Sequence, residues 1–246
     1  MTRDAFLGGR LAVSQPRNGF RAGLDSVLLG AAVSAGSRRL LDLGAGVGTA
    51  ALVALADRPE LHATLCESDP QSAELARRNL AENGLADRTE VLGLDIAAAG
   101  RVRAEAGLAA DAFTSVIANP PFFDPTSGTG PSPARAAARH MPAEALDTWL
   151  RAAATHAAPG GEVIVIHVAA ALPALLAAFD RRFGAITVLP LSPREGVGAS
   201  RILVRGIKGS RAPFTLLASR TLHVDDGRAF RPEFDALFRG EGRLVW

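Results

Sequence analysis

The segment Asn119-Pro120-Pro121-Phe122 concentrates hydrogen-bond acceptors in a stretch of backbone poor in donors. Successive prolines fix two φ angles and remove two N–H groups, so the segment cannot continue a strand ladder. Its carbonyls stay free to point outward. The Asn119 side-chain oxygen and a proline carbonyl then form a pair of acceptors suited to the two hydrogens of an exocyclic amine. An aryl amine is a poor nucleophile because its lone pair is delocalised into the ring. Two acceptors holding its hydrogens favour the pyramidal geometry and free that pair for attack. Phe122 offers a platform on which the target ring can stack. Such a site requires neither a metal nor a strong general base; positioning and electrostatics carry the rate. The plainer alternative is a Pro-Pro turn that only ends a strand.

A second constellation lies upstream, in Asp42-Leu43-Gly44-Ala45-Gly46-Val47-Gly48. Glycines at 44, 46 and 48 let the backbone turn sharply and approach a ligand closely. The dinucleotide fingerprint G-x-G-x-x-G would place its third glycine at 49, where this chain has Thr49. Two carboxylates follow, Glu67 and Asp95, the first 23 residues beyond Gly44. By itself the loop is also consistent with a tight strand–helix turn flanked by two solvated acids.

Elements able to position these groups follow from periodicity. The pattern predicts strands over Leu40–Leu43, His62–Glu67, Glu90–Leu94, Phe113–Ala118 and Glu162–His167. Helices are predicted over Thr49–Asp57, Pro70–Asn83, Ala97–Ala106, Pro142–His156 and Ala170–Arg182. Pro70 opens the second of these and Gly84 follows its end, as helix termini prefer. Ile186–Leu191 and Arg201–Val204 make a closing strand pair. This alternation implies an α/β fold: a mostly parallel sheet with a closing antiparallel strand and helices on both faces. Ligands of such sheets sit at the carboxyl ends of the strands. Four successive strand ends here carry the glycine loop, Glu67, Asp95 and Asn119-Pro120-Pro121-Phe122.

Composition removes several classes of function. Of 246 residues, 48% are hydrophobic and 21% charged, which excludes a disordered chain. No 18-residue apolar run lacks charges, so no membrane span is expected. The N-terminus carries Asp4 and no long apolar stretch, unlike a secretory signal. One cysteine, Cys66, cannot form an internal disulfide, and no Cys/His cluster suggests a metal. A cytoplasmic protein is expected. The pI of about 9.4 overstates its basicity, because the chain has no Tyr and a single Lys, so little titrates above neutral pH. Residues 1–39 and 193–246 each carry net +4, against −6 for residues 40–112. Basic ends that met in space would make a track for phosphates, or they are an ordinary Arg-rich surface.

The motif Asp-x-Gly-x-Gly-x-Gly at 42–48 resembles motif I of the class I S-adenosylmethionine methyltransferases. That resemblance implies a Rossmann-like sheet and S-adenosylmethionine as cofactor. It implies ribose hydroxyls on Glu67 and the adenine amino group on Asp95. Asn119-Pro120-Pro121-Phe122 is similar to motif IV of amino-methyltransferases, (Asn/Asp)-Pro-Pro-(Tyr/Phe). Adenine-N6, some guanine-N2 and glutamine-N5 enzymes share it, so it identifies amine chemistry and not the substrate.

With Gln15–Leu29, these motifs resemble the bacterial tRNA1(Val) adenine-N6-methyltransferase family, over roughly residues 5–206. Phe20, Arg21, Gly23 and Asp25 match a segment expected there to cover the methionine end of the cofactor. Ser132–Arg135, Arg139-His140 and Ala199–Val204 resemble later stretches of the same family. The resemblance implies methylation of adenine N6 in a structured RNA such as tRNA, with the base extruded into the pocket. Guanine N2 of rRNA, a protein glutamine, or a non-catalytic RNA-binding scaffold remain alternatives. Phe122 stands where Tyr is most expected, and Phe cannot donate a hydroxyl hydrogen bond.

Arg135 and Arg139 could clamp phosphate, as could Arg201, Arg205, Lys208 and Arg211; ordinary surface arginines are the alternative. His167 lies near the site by topology and reads first as a core histidine, as Trp149 reads as core. The chain is expected to form one domain: a covering segment (1–37), a core (38–205) and a basic C-terminal extension (206–246).

Overall fold

Short apolar runs become the parallel centre of a nine-stranded sheet in the computed structural model, which describes residues 1–17, 21–121, 143–224 and 227–246. A hairpin opens the chain, β1 (Thr2–Phe6) and β2 (Leu11–Gln15), followed by α1 (Leu24–Ala32). Then come β3 (Arg39–Leu43), α2 (Thr49–Leu55), β4 (His62–Glu67), α3 (Pro70–Glu82) and β5 (Thr89–Gly93). After α4 (Gly100–Glu105) and β6 (Phe113–Ala118) follow α5 (Ala143–His156), β7 (Ala157–Val168) and α6 (Leu172–Asp180). The chain continues through β8 (Phe183–Ser192), β9 (Arg201–Lys208), β10 (Thr215–Leu216), β11 (Arg220–Thr221) and α7 (Pro232–Arg239).

The sheet order is β10-β8-β9-β7-β6-β3-β4-β5, with β11 also on β8. Only β9 runs against the rest, between β7 and β8. Side chains of successive strand residues point to opposite faces, and both faces of the central strands are apolar. Leu40, Ile117 and Ile164 enter one core with α1, α2 and the N-terminal hairpin. Their neighbours Leu41, Val116 and Val163 enter the other, with α5 and α6. Burial on both faces is what permits near-continuous apolar strands. The chain builds outward from β3 through β4 to β5, then returns to β6 on the other side of β3. That reversal opens a crevice between β3 and β6 at their carboxyl ends.

Several elements differ from the sequence expectation. The helix expected over 97–106 shortens, because the Asp95 side chain and carbonyl take the N–H groups of Ala97 and Ala98 as a turn. The fifth strand of the core begins at Ala157; an irregularity opposite Phe113 and Ser115 absorbs Gly160 and Gly161. Within 170–182, Ala169–Ala171 form a 3-10 turn and the α-helix starts at Leu172, with Pro173 in its first turn. The β8/β9 pair is longer than expected at both members. The N-terminal hairpin, α1 and the C-terminal elements were not foreseen. Leu222, Phe234, Leu237 and Leu244 of the C-terminal stretch share a core with Leu7 and Leu11 of the hairpin.

Candidate active site at the carboxyl edge of the sheet

The glycine loop leaves β3 with Gly44, Gly46 and Gly48 at φ of +65°, +56° and +84°. L-residues with a side chain rarely adopt these angles. A Cβ on Gly44 would collide with the Trp149 ring of α5, whereas one on Gly46 meets no described atom within 4 Å. The loop is thus packed from below at Gly44 and open at Gly46. Gly48 precedes the first residue of α2.

Glu67 ends β4 and is locked against this loop. Its Oε2 accepts the Gly46 N–H at 2.8 Å, and its Oε1 accepts the Asp69 N–H at 2.8 Å. Ser68 Oγ also reaches Oε1, at 3.5 Å, so Oε2 keeps the freer lone pair. Asp95, just past β5, is exposed, and its Oδ1 accepts the Ala97 N–H at 2.8 Å. Asp42 is 2% exposed, and its Oδ2 has no hydrogen-bond partner among the described residues. Burial pushes its pKa up to about 8, opposed by the Ala51 N–H and reinforced by the nearby Glu67 charge.

Asn119 leaves β6 directly beside the loop, since Ala118 pairs with Leu43. Its Oδ1 is buried and has no hydrogen-bond partner among the described residues. Pro120 is buried and Pro121 half-buried. Phe122 lies outside the described residues. The sequence therefore brings the loop, Glu67 and Asn119 to neighbouring strand ends.

The N-terminal segment is held by contacts that motif reading missed. Arg21 pairs with Asp4 at 2.5 Å and donates to Thr2 Oγ1 at 2.7 Å. Gln15, 1% exposed, accepts the Ala22 N–H and donates to Asp4. Asp25 accepts both 2.9 Å and 3.1 Å bonds from Arg201 Nε, which fastens α1 to the start of β9. Phe20 lies outside the described residues. Beneath them, the Asn79 carboxamide accepts from Ser14 N–H and donates to the carbonyls of Ser14 and Val47. One buried side chain of α3 thereby joins the N-terminal hairpin to the glycine loop. Two asparagines on one helix face, Asn79 and Asn83, were the available signal.

The basic residues of β9 are not brought together. Arg201 pairs with Val168 at the site-bearing edge, whereas Lys208 lies at the opposite end, opposite Phe183. There Lys208 bonds Asp111 and the carbonyls of Ala154 and Ala157. Arg205 lies over the Trp246 ring at 4.6 Å, and burial lowers its pKa. Arg211 is exposed. Arg135, Arg139 and His140 lie outside the described residues.

Comparison with known proteins places these features in context. The Methyltransferase small domain family matches residues 23–190. A tRNA1(Val) (adenine(37)-N6)-methyltransferase from Enterobacter sp. (strain 638) is 35% identical over 157 residues, covering 63% of this chain and 61% of that protein. A protein of the same name from Aeromonas hydrophila is 31% identical over 197 residues, covering 78% of this chain and 79% of its own. The matched region spans about three fifths of the length of the Enterobacter relative. Among solved structures, a predicted O-methyltransferase from Agrobacterium tumefaciens is 32% identical, with a TM-score of 0.75. That match covers 90% of this chain and 98% of the other.

Proposed function

The chain belongs to the methyltransferase small domain family, and we propose that it transfers a methyl group from S-adenosylmethionine to adenine N6 of a tRNA. The observation that carries this reading is the buried Asn119 Oδ1, without a partner among the described residues, one residue past the strand position beside Leu43. An unsatisfied buried acceptor is costly unless a ligand completes it. An amine supplies two hydrogens to the pair formed by Asn119 Oδ1 and the Pro120 carbonyl; a hydroxyl supplies one. This favours nitrogen as the acceptor atom, although the similar Agrobacterium tumefaciens protein is a predicted O-methyltransferase.

The cofactor side fits on the same grounds. Open space at Gly46 admits a ligand against the loop, and Glu67 accepts the ribose hydroxyls, Oε2 with a lone pair to spare and Oε1 on release of the Ser68 hydroxyl. Asp95, exposed just past β5, accepts the adenine amino group, and Asp42 Oδ2 has no partner among the described residues. Arg21 and Asp25, with Phe20, belong to the segment proposed to cover the methionine end. When bound, S-adenosylmethionine supplies a methyl group activated by its sulfonium charge. Asn119 and Pro120 hold the amine hydrogens and direct the nitrogen lone pair, and Phe122 stacks on the ring. Conjugation with the ring makes the methylated nitrogen strongly acidic, so its proton leaves to water without a strong base.

We place the protein with its tRNA substrate in the cytoplasm; among the described residues no helix is long and apolar enough to cross a membrane. Arg201 at the site-bearing edge and exposed Arg211, together with Arg135 and Arg139, are proposed phosphate contacts. Arg205 and Lys208 belong to the same proposal, although their observed contacts are internal.

The test incubates the protein and S-adenosylmethionine bearing a radioactive methyl group with total RNA from a strain lacking the gene. Label in N6-methyladenosine is expected. Label in N2-methylguanosine would move the substrate to guanine, and unlabelled RNA with bound cofactor would refute an RNA substrate.

A further inference from the structure

Asp95 heads a turn that is anchored by one buried arginine. Its side chain and carbonyl accept the N–H groups of Ala97 and Ala98, which closes the turn on itself. The carbonyls of Ile96 and Ala98 must then be satisfied from elsewhere. Arg103 of α4, 9% exposed, meets both: one terminal nitrogen donates to the Ile96 carbonyl at 3.1 Å and also to that of Ala98. Arg103 Nε donates to His156 Nε2 at 3.2 Å, which places the imidazole proton on Nδ1, 2.9 Å from the Ala109 carbonyl. Burial lowers the His156 pKa, so the ring stays neutral and able to accept at neutral pH.

This chain of bonds bears on where the Asp95 carboxylate can go. The Leu94 N–H donates to the Glu67 carbonyl at 3.0 Å, so Asp95 follows directly from the point where β5 is tied to the end of β4. The Ile96 side chain is buried in the core shared with α5. Peptide groups are planar, so fixing the Ile96 and Ala98 carbonyls fixes two peptide planes of the turn. A guanidinium does this with a rigid, planar set of donors, which an ammonium group lacks. The partner on Nε, His156, ends the same helix whose Trp149 packs against Gly44. One helix therefore braces both the glycine loop and the Asp95 turn.

We propose that Arg103 is the positioning residue of the adenine subsite: by holding the Ile96 and Ala98 carbonyls it presents the Asp95 carboxylate to the amino group of the cofactor's adenine, and His156 orients the guanidinium that does so. The inference rests on the cofactor-binding reading above. Arg103 bonds to protein groups and acts through Asp95. Its role is recognition of the nucleobase and not the transfer step.

The experiment titrates the protein calorimetrically with S-adenosylhomocysteine and with its analogue bearing hydrogen in place of the adenine amino group. Wild-type protein should bind the first about tenfold more tightly, the lower end for a hydrogen bond to a charged acceptor. Arg103→Met keeps the apolar stem and removes the donors, so its ratio should fall to within about threefold, while kcat at saturating S-adenosylmethionine stays within about threefold of wild type. Arg103→Lys keeps the charge without the planar fork, and its ratio should also fall, by about threefold or more. In an Asp95→Ala background, Arg103→Met should cost less than about twofold in further affinity, which a general loosening of the fold would not reproduce. A folded Arg103 variant with the wild-type ratio, or an equal affinity loss with and without Asp95, refutes the role. In wild-type protein at about pH 7.5, 15N NMR of labelled histidine should show His156 as the Nδ1–H tautomer; an Nε2–H tautomer sets two donors against each other and overturns the geometry without any variant. Wild-type protein that binds both ligands equally refutes the adenine subsite and leaves methyl transfer standing. Wild-type protein that binds neither refutes the parent reading and this proposal with it.

Discussion

The Gly46 N–H donates to Glu67 Oε2 at 2.8 Å, so the most open point of the glycine loop and the carboxylate of the next strand are one hydrogen-bonded unit. The carboxylate that would receive a ribose also fixes the loop that would receive the rest of the nucleoside. Glu67→Ala should remove both effects. Hydrogen bonds to a charged acceptor contribute about 1.5–3 kcal/mol, which corresponds to about 10- to 100-fold in affinity. Calorimetric titration with S-adenosylmethionine should show that loss, with a change in melting temperature of only a few degrees. Wild-type affinity in the variant would remove Glu67 from the cofactor site.

Asn119 is expected at both the amine and the cofactor, its main effect being on the amine, and the two roles separate experimentally. Asn119→Ala deletes the buried acceptor Oδ1 while leaving the loop and Glu67 untouched. Turnover should fall by about 100-fold or more, the scale seen when one preorganised polar group at a reacting centre is removed. S-adenosylmethionine affinity should stay within about threefold. Collapse of cofactor binding would show that Asn119 holds the cofactor rather than the target base.

Gly44 and Gly46 share a left-handed backbone, with φ of +65° and +56°, yet face different surroundings. An added methyl at Gly46 meets no described atom, whereas at Gly44 it strikes Trp149. The left-handed conformation costs a side-chain-bearing residue about 1–2 kcal/mol, and overpacking adds about 1–3 kcal/mol. Gly44→Ala should therefore destabilise the protein more than Gly46→Ala in urea unfolding. Trp149→Leu should recover part of the difference in the Gly44→Ala background. Equal losses at both glycines would mean that the Trp149 contact contributes nothing.

The parts of this protein that the sequence discloses are those written in local pattern. Apolar runs with alternate facing, the His62–Glu67 strand and the Pro70 to Gly84 helix depend on neighbours within a few residues, and they form as periodicity predicts. So do the strand ends that bear the glycine loop, Glu67 and Asn119. What stayed hidden depends on distant partners. Ser14 and Asn79 are 65 residues apart, and their bonds organise the N-terminal hairpin on α3. Trp149 read as an ordinary apolar residue because nothing near it in sequence announces that Gly44 lies under its ring. Lys208 looked like part of a basic cluster until the antiparallel course of β9 placed it at the far end from Arg201. His167 was placed near the site by topology, and it is buried as a core histidine would be.

Asp42 gives the fold a pH dependence whose sign can be worked out. Burial raises its pKa from the ordinary 3.8 to about 8, the Glu67 charge adds to the rise, and the Ala51 N–H opposes it. The folded protein therefore holds this proton more tightly than the unfolded chain does. Between the two values the unfolded state binds fewer protons, so stability must fall as pH rises. The contribution is complete below about pH 4 and is lost progressively toward pH 8. Asp42→Asn keeps the shape, cannot ionise, and should flatten this dependence. Urea unfolding at pH 5, 6, 7 and 8 should show the variant gaining on wild type at each step upward. A constant difference between them would mean that Asp42 is ionised throughout, with a partner for its Oδ2 beyond the described residues.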